Sequence, residues 1–508
     1  MKGLPARVRW VDGMVWLALA TAGVSCGVAL ASSWHWPLVG DAALMRYVVF
    51  LLHGGMAPYR EIVDVNLPGS YALEALAMRL FGAGAVGLRL YDGALCGLVC
   101  LCAVWLTEGR WRGRVCGAIA GLLFVLIHLR DGVVQAGQRD LAMAVISLVA
   151  LVLLLRVHRV VGVLGFELLV GFMLVVKPTL LLLAFLPIYA ARVRRKRLSP
   201  GILAGGMGAL LLPAAVVWVW LWRWGSVRAL WGMLGGIERT HTELARKGLG
   251  FLLGHAVAPV AVAVLLGLVI WSLLRFEADA EWRMLAAAAG CGLVSFLVQQ
   301  KGFPYQRYTF LALALICVFR VVARGLEAGG WAGWVAIVTV ALSCFWFAPR
   351  FAWRVSTFDR RAPFEDALKA DLTALSLRPG DAQCLDTVGG CVATLNAMGL
   401  RQSTGYLYDC YAYVGSDAAQ SAYRAGFLKA VERAHPQVIV LSSQYCLGTA
   451  DDPGRIGRWP EMDRLLANEY RVDGDWAPSG KIRWWNEVEL PPSYRIFVRT
   501  QAASGGTP

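Results

Sequence analysis

Residues 40–71 (GDAALMRYVVFLLHGGMAPYREIVDVNLPGSY) hold the residues with most chemistry to offer. Asp41, Arg46, His53, Arg60, Glu61, Asp64 and Asn66 lie there, between two long apolar segments. A carboxylate in such a place suits removal of a proton from a reacting hydroxyl, and cations suit negative charge that builds on a leaving group. A plain connector between membrane helices runs only a few residues and is blander. A second signal is Lys177, followed by Pro178 at the end of an apolar run. A charge at such a depth points to function unless its stem snorkels to the interface.

The elements that must position these residues follow from the apolar pattern. Residues 44–52 are apolar at helical spacing, but make up roughly half of the ~20 residues that span a bilayer. The spacing predicts a helix lying along the membrane surface. Gly54-Gly55 stops it, Pro58 sets a turn, and Leu67-Pro68-Gly69 starts another short helix after an extended stretch. The whole chain has 508 residues, 58% hydrophobic and 16% charged. With a mean hydropathy of +0.56 this is a polytopic α-helical membrane protein. The net charge of +15 therefore belongs to cytoplasmic loops facing anionic lipid. No basic face interleaved with aromatics appears, so nucleic acid is not an expected partner. Lys2, Arg7 and Arg9 precede an apolar run to Ser32, read as a retained first helix and not a cleaved signal.

Eleven spans are predicted, at 12–32, 86–106, 114–129, 141–156, 160–176, 178–191, 201–222, 250–274, 284–299, 306–322 and 331–348. A cytoplasmic N-terminus puts the short basic connections inside, among them Arg192, Arg194, Arg195, Lys196 and Arg197. The opposite side then receives 33–85, 128–140, the Lys177-Pro178 turn, 223–249, 299–308 and everything after residue 348. The chain thus divides into a membrane domain, 1–348, and an extracytoplasmic α/β domain, 349–508. In the latter, helices are expected at 363–376, 389–398, 417–434 and 460–470, with strands at 383–388, 437–442, 484–490 and 493–499 and a disordered tail at 502–508. Four of the twelve cysteines, Cys384, Cys391, Cys410 and Cys446, fall there. An even number in an oxidising compartment suits two disulfides, with pairing open.

Asp41 ahead of a short helix, then GGMAPYREIVDVNLPGSY, resembles the first outer loop of GT-C glycosyltransferases that use polyprenyl-phosphate sugars. That superfamily includes lipid A aminoarabinose transferases, protein O-mannosyltransferases and the RgtA/B/C/D-like group. VKPTLLLL at 176–183, QQKGFPYQRY at 299–308 and GQRD at 137–140 look like further family segments, so the resemblance covers roughly residues 10–325. It implies a GT-C-like fold and a single displacement, in which an acceptor hydroxyl attacks the anomeric carbon and polyprenyl phosphate leaves. On the family motif Asp41 takes the position of the general base. Several relatives follow it with Glu; here Ala42 follows, and Asp64 is the next candidate, to orient the acceptor or replace the missing acid. Lys177, Arg139, Lys301 and Arg307 are candidates for the donor phosphate, and Tyr59, Arg60 and Asn66 for the acceptor side of the loop.

Plainer roles stand beside these. Asp41 could simply cap its helix, Asp64 could fix a turn, and the cations could face water or lipid head groups. Tyr305 and Tyr308 read as interfacial aromatics. Some relatives place a metal-contacting His near His241 and His255, but two separated His do not make a site. A monophosphate donor needs no ion to neutralise a second phosphate, so no obligatory metal or other cofactor is expected. A required divalent ion would instead favour a diphosphate-donor polymerase or ligase. No GxxxxGK[ST] or Rossmann fingerprint occurs, so ATP and nucleotide-sugar use are not expected. The expected protein is a bacterial inner-membrane glycosyltransferase whose partners are a polyprenyl-phosphate sugar, membrane lipids and an envelope lipid, polysaccharide or protein acceptor. The rivals are a lipid-linked sugar flippase, which needs ionisable residues deep within spans, and a non-catalytic assembly protein that binds glycan.

Overall fold

The computed structural model describes residues 6–107, 110–195, 197–444, 452 and 454–500. Lys196, Cys446 and the tail expected at 502–508 lie outside them. Among the described residues nine helices are long and apolar enough to cross a bilayer. The other two expected spans are shorter or more charged. Helix Arg139–Arg156 carries Arg139, Asp140 and Arg156 at its ends. The run after Lys177 is a 3₁₀ stretch, Pro178–Phe185, followed by helix Leu186–Val193. Pro178 and Pro187 each remove a backbone donor, which breaks that run.

Packing sorts the spans. In Pro304–Ala328 89% of the apolar window is buried, against 6% in Pro200–Arg223. The first is the central post, packed on Trp111–Asp131, Ala280–Gln299 and Gly330–Ala341. The second exposes Leu211, Val216, Trp218 and Trp222, a surface apolar all round that suits lipid and not water. The last span continues to Ser356 through a π-helical segment, Leu342–Phe347, that ends two residues before Pro349. A wider turn there accommodates a proline that would otherwise break the ladder.

The bundle has two distinct ends. Helix Trp111–Asp131 begins where Arg112 pairs with Asp12 at 2.6 Å, near Arg156–Glu281 at 2.8 Å and Arg320–Asp279 at 3.1 Å. Just past its other end, Val133 N–H donates to the Trp484 carbonyl of the C-terminal domain. That domain holds a four-stranded sheet of β1 (Ala382–Leu385), β2 (Val438–Ser442), β3 (Tyr470–Trp476) and β4 (Tyr494–Arg499), in the order β1-β2-β4-β3. β1 and β2 are parallel, and β4 runs antiparallel to both neighbours. Helices Pro363–Ala374, Cys391–Ala397, Asp417–Ala434 and Pro460–Glu469 match expectation.

Three expectations need correction. Residues 484–490 form no strand, only an Ile482–Glu489 bridge before Pro491-Pro492. β3 was unexpected, because its residues 471–473 are exposed and its Asp and Gly disfavour strands. The apolar stripe of helix Gly40–His53 faces protein and not lipid: Leu44, Tyr47, Val48 and Leu51 are buried in one core with Phe364, Leu368 and Leu395 of the C-terminal domain. Tyr47 OH donates to the Leu400 carbonyl at 3.1 Å and accepts from Gln402 N–H at 2.7 Å. Its apolar stripe needs a cover, and the C-terminal domain provides it.

Cys384 and Cys391 form a disulfide that ties β1 to the following helix. Cys410 is also disulfide-bonded. The eight remaining described cysteines are free and lie in or beside the spans.

Candidate active site

Two close backbone approaches build the site. Helix Pro68–Phe81 starts against the end of Arg159–Val176, and a Cβ on Gly69 would sit 2.6 Å from the Val175 carbonyl. That contact, with Ser70 Oγ donating to the Val176 carbonyl at 3.3 Å, sets the 64–69 loop beside Lys177. From the other side, a Cβ on Gly405 would lie 1.5 Å from the Glu61 carbonyl, so only glycine lets the C-terminal domain press on this loop. Val63 N–H then donates to the Gly405 carbonyl at 2.9 Å.

The acids in this space differ in what occupies them. Asp64 is 1% exposed and accepts from Tyr71 OH at 2.7 Å, Tyr408 OH at 2.5 Å, Asn66 Nδ2 at 2.9 Å and Val65 N–H at 2.8 Å. Its lone pairs are filled, so it serves as a structural acceptor and is poorly placed to take a proton. Asp140 is paired with Lys177 Nζ at 3.0 Å. Asp41 sits half-buried in the first turn of Gly40–His53 and makes no capping bond. Its one hydrogen bond is a long one, 3.4 Å from Gln138 Nε2. Its carboxylate is free to accept a hydroxyl proton, at the positive end of a helix dipole.

The cations also sort. Lys301 is 8% exposed, and its Nζ is buried with no hydrogen-bond partner. Burial pushes its ammonium down to about 8; Glu238 opposes the shift and Lys177 adds to it. Arg139 donates to Asn66 Oδ1 and keeps its Nε unpartnered. The charges acting on it come from Asp140, Asp41 and Asp64, with Tyr305 among them. Lys177 lies 5.9 Å from the Tyr305 ring centre. Asp41, Asp64, Asn66, Arg139, Lys177 and Lys301 therefore meet in one place.

Arg307 and Arg60 do not join them. Arg307 binds Asp131 at 2.9 and 3.0 Å and the His255 carbonyl at 2.7 Å inside the bundle, with its Nε unpartnered. Arg60 is exposed and pairs with Glu61 at 3.2 Å. Tyr59, at φ 59°, turns inward so that its OH donates to the Asn66 carbonyl at 2.6 Å. With Asp64, Ile237, Thr240, Tyr411 and Tyr423 it lines a cavity of about 360 Å³ beside the acids.

Several contributors carried no clear local signal. Gln138 orients Asp41, and Tyr408 and Tyr411 arrive from the C-terminal domain. His241 Nδ1 lies 2.9 Å from Tyr411 OH. Burial and the charges of Lys301, Arg139 and Lys177 push its imidazole down to about 3, so it stays neutral. Burial also raises the Glu238 carboxyl. Asp92 accepts from Gly137 N–H at 2.8 Å and lies 3.1 Å from His128 Nε2, holding the 137–140 turn from below. Asp92, Cys96 and His128 are the one three-residue group with metal-ligating atoms within 4.8 Å among the described residues, and neither His241 nor His255 joins such a group.

No family model and no curated protein matches the chain in sequence. In three dimensions it is similar to ArnT from Cupriavidus metallidurans bound to undecaprenyl phosphate, at 15% identity over 97% of this chain and 98% of that one, with a TM-score of 0.58. The chain has the GT-C fold of that protein. The apo state of the same ArnT gives 14% identity over the same shares and a TM-score of 0.55. The oligosaccharyltransferase AglB from Archaeoglobus fulgidus, in complex with an inhibitory peptide and a dolichol-phosphate, gives 10% identity over 93% of this chain and 74% of that one, with a TM-score of 0.47. The match to ArnT spans bundle and C-terminal domain together.

Proposed function

We propose that the chain is a membrane glycosyltransferase that moves a sugar from a polyprenyl-phosphate donor to a hydroxyl of an envelope acceptor. The reaction takes place at the outer face of a bacterial inner membrane, with the N-terminus cytoplasmic. The acceptor oxygen bonds to the anomeric carbon, the bond to the phosphate oxygen breaks, and the acceptor proton passes to Asp41. Polyprenyl phosphate leaves with the electron pair, and the anomeric configuration inverts. The observation that carries this reading is the free carboxylate of Asp41 beside Asp64 and Asp140, which are both engaged. Lys301, with its unpartnered ammonium, and Arg139, with its unpartnered Nε, are the donors for the phosphate. Lys177, already paired with Asp140, closes the same rim. ArnT, whose fold the chain shares, has been crystallised with undecaprenyl phosphate, a lipid of this donor class. No metal is assigned a role.

The test is transfer in membranes from labelled polyprenyl-phosphate sugars to native envelope acceptors, comparing wild type with Asp41→Asn. That change keeps the shape and removes the base, so transfer should fall by about 10²–10⁴ at equal protein abundance. Equal rates would remove Asp41 as the base. Absence of donor consumption by wild type would remove the transferase reading itself.

A further inference from the structure

A groove of about 500 Å³ opens on the bundle away from the Asp41–Lys177 chamber. Its walls are apolar, with Ile127, Val260, Ala263, Leu266, Leu315 and Leu342 among them. All six lie in helices long and apolar enough to span the bilayer, so the groove faces hydrocarbon. One end is different. Arg130, Arg350 and Arg354 line it, joined by Asn486 of the C-terminal domain.

The charges of Arg130 and of Arg483, from the same domain, both act on Arg354. None of these four guanidiniums makes an ion pair among the described residues. They rest instead on rings and carbonyls. Arg130 lies 5.1 Å from the Phe351 ring centre, Arg350 3.2 Å from that of Trp346, and Arg354 5.9 Å from that of Phe358. Arg354 also donates to the Asn486 carbonyl, and Arg483 Nε is buried without a partner. Of the acids in adjoining segments, Asp131 is held by Arg307 and Asp359 accepts from the backbone N–H of Arg483. Like charges gathered at a low-dielectric edge repel one another, and an anion seated among them relieves that repulsion. The groove shares no lining residue with the cavity that Tyr59 and Asp64 line beside the chamber.

We propose that the groove binds an anionic phospholipid from the leaflet on the C-terminal-domain side, its phosphate on Arg130, Arg350 and Arg354 and an acyl chain along the apolar wall. Because Asn486 and Arg483 belong to the C-terminal domain, the bound lipid ties that domain to the bundle. It is a second lipid, distinct from any substrate of the Asp41 chamber.

Native mass spectrometry of the full chain in detergent, with phosphatidylglycerol or diacylglycerol added, tests this. Wild type should retain phosphatidylglycerol and not diacylglycerol. The combined Arg130→Gln, Arg350→Gln and Arg354→Gln variant should lose at least about tenfold in retention, the scale of one lost charge-assisted contact. Ala263→Trp fills the groove and leaves the arginines intact, and should lose retention similarly. If the combined variant does not elute as one species, Ala263→Trp and the single Arg350→Gln, at an exposed position, decide the matter. Equal retention by Ala263→Trp and wild type would overturn the proposal in favour of annular lipid. Equal retention of diacylglycerol would remove the phosphate from it. Displacement of the lipid by millimolar inorganic phosphate would leave a free-phosphate site in its place.

Discussion

Replacing Lys301 by Met should move stability and donor binding in opposite directions. The ammonium is buried, has no hydrogen-bond partner and titrates near 8, where an ordinary lysine titrates near 10.5. At ~1.36 kcal/mol per pH unit, burial disfavours the charged form by about 3 kcal/mol in the empty protein. Methionine removes that cost and keeps the apolar stem, so the variant should be about 1–3 kcal/mol more stable at pH 7. Glu238, the charge that most supports Lys301, is itself pushed towards its neutral form by burial, which limits the cost of its losing that partner. A donor phosphate ~4 Å away attracts the ammonium by about 4 kcal/mol at an effective dielectric near 20. Losing most of that should raise the donor KM by roughly 30- to 1000-fold. The pH dependence has a definite sign. Between about 8 and 10.5 the unfolded chain holds the lysine proton and the folded chain has lost it. Stability therefore rises with pH across that window, and the variant should lack the rise. Thermal melts from pH 7 to 10, with donor KM from the membrane transfer assay, read both effects. A lower melting temperature with an unchanged KM would refute the reasoning, since it would make Lys301 a structural cation.

Asp64→Asn and Tyr408→Phe should each cost about 1.5–3 kcal/mol, because Tyr408 OH donates to a buried charged acceptor at 2.5 Å. The double variant should cost less than the sum, which a double-mutant cycle of denaturant midpoints measures. Arg307→Leu leaves Asp131 buried and unpaired, so about 3–5 kcal/mol should be lost, seen as a lower melting temperature, while donor KM in surviving protein stays within about twofold. His241 titrates near 3, so His241→Gln should leave the pH–rate profile between pH 5 and 8 in place. A displaced acid limb would contradict that assignment.

Hydropathy and motif spacing by themselves determined the membrane bundle, the eventual position of Asp41 and Lys177 at one rim, and helix Asp417–Ala434 to the residue. These are one-dimensional properties: a span needs a run of apolar residues, and a helix needs its cap and its period. What each charged residue does was decided only by tertiary structure. Asp41 and Asp64 are both candidate acids along the chain, yet one keeps a free carboxylate and the other is filled by donors that include Tyr408, 344 residues away. Arg307 read like Lys301 until Asp131, 176 residues distant, proved to hold it. The apolar stripe of Gly40–His53 called for a cover, but a bilayer surface and a protein domain satisfy such a stripe equally well by area. Burial, partner and protonation depend on what folds back against a residue, and the local sequence does not carry that.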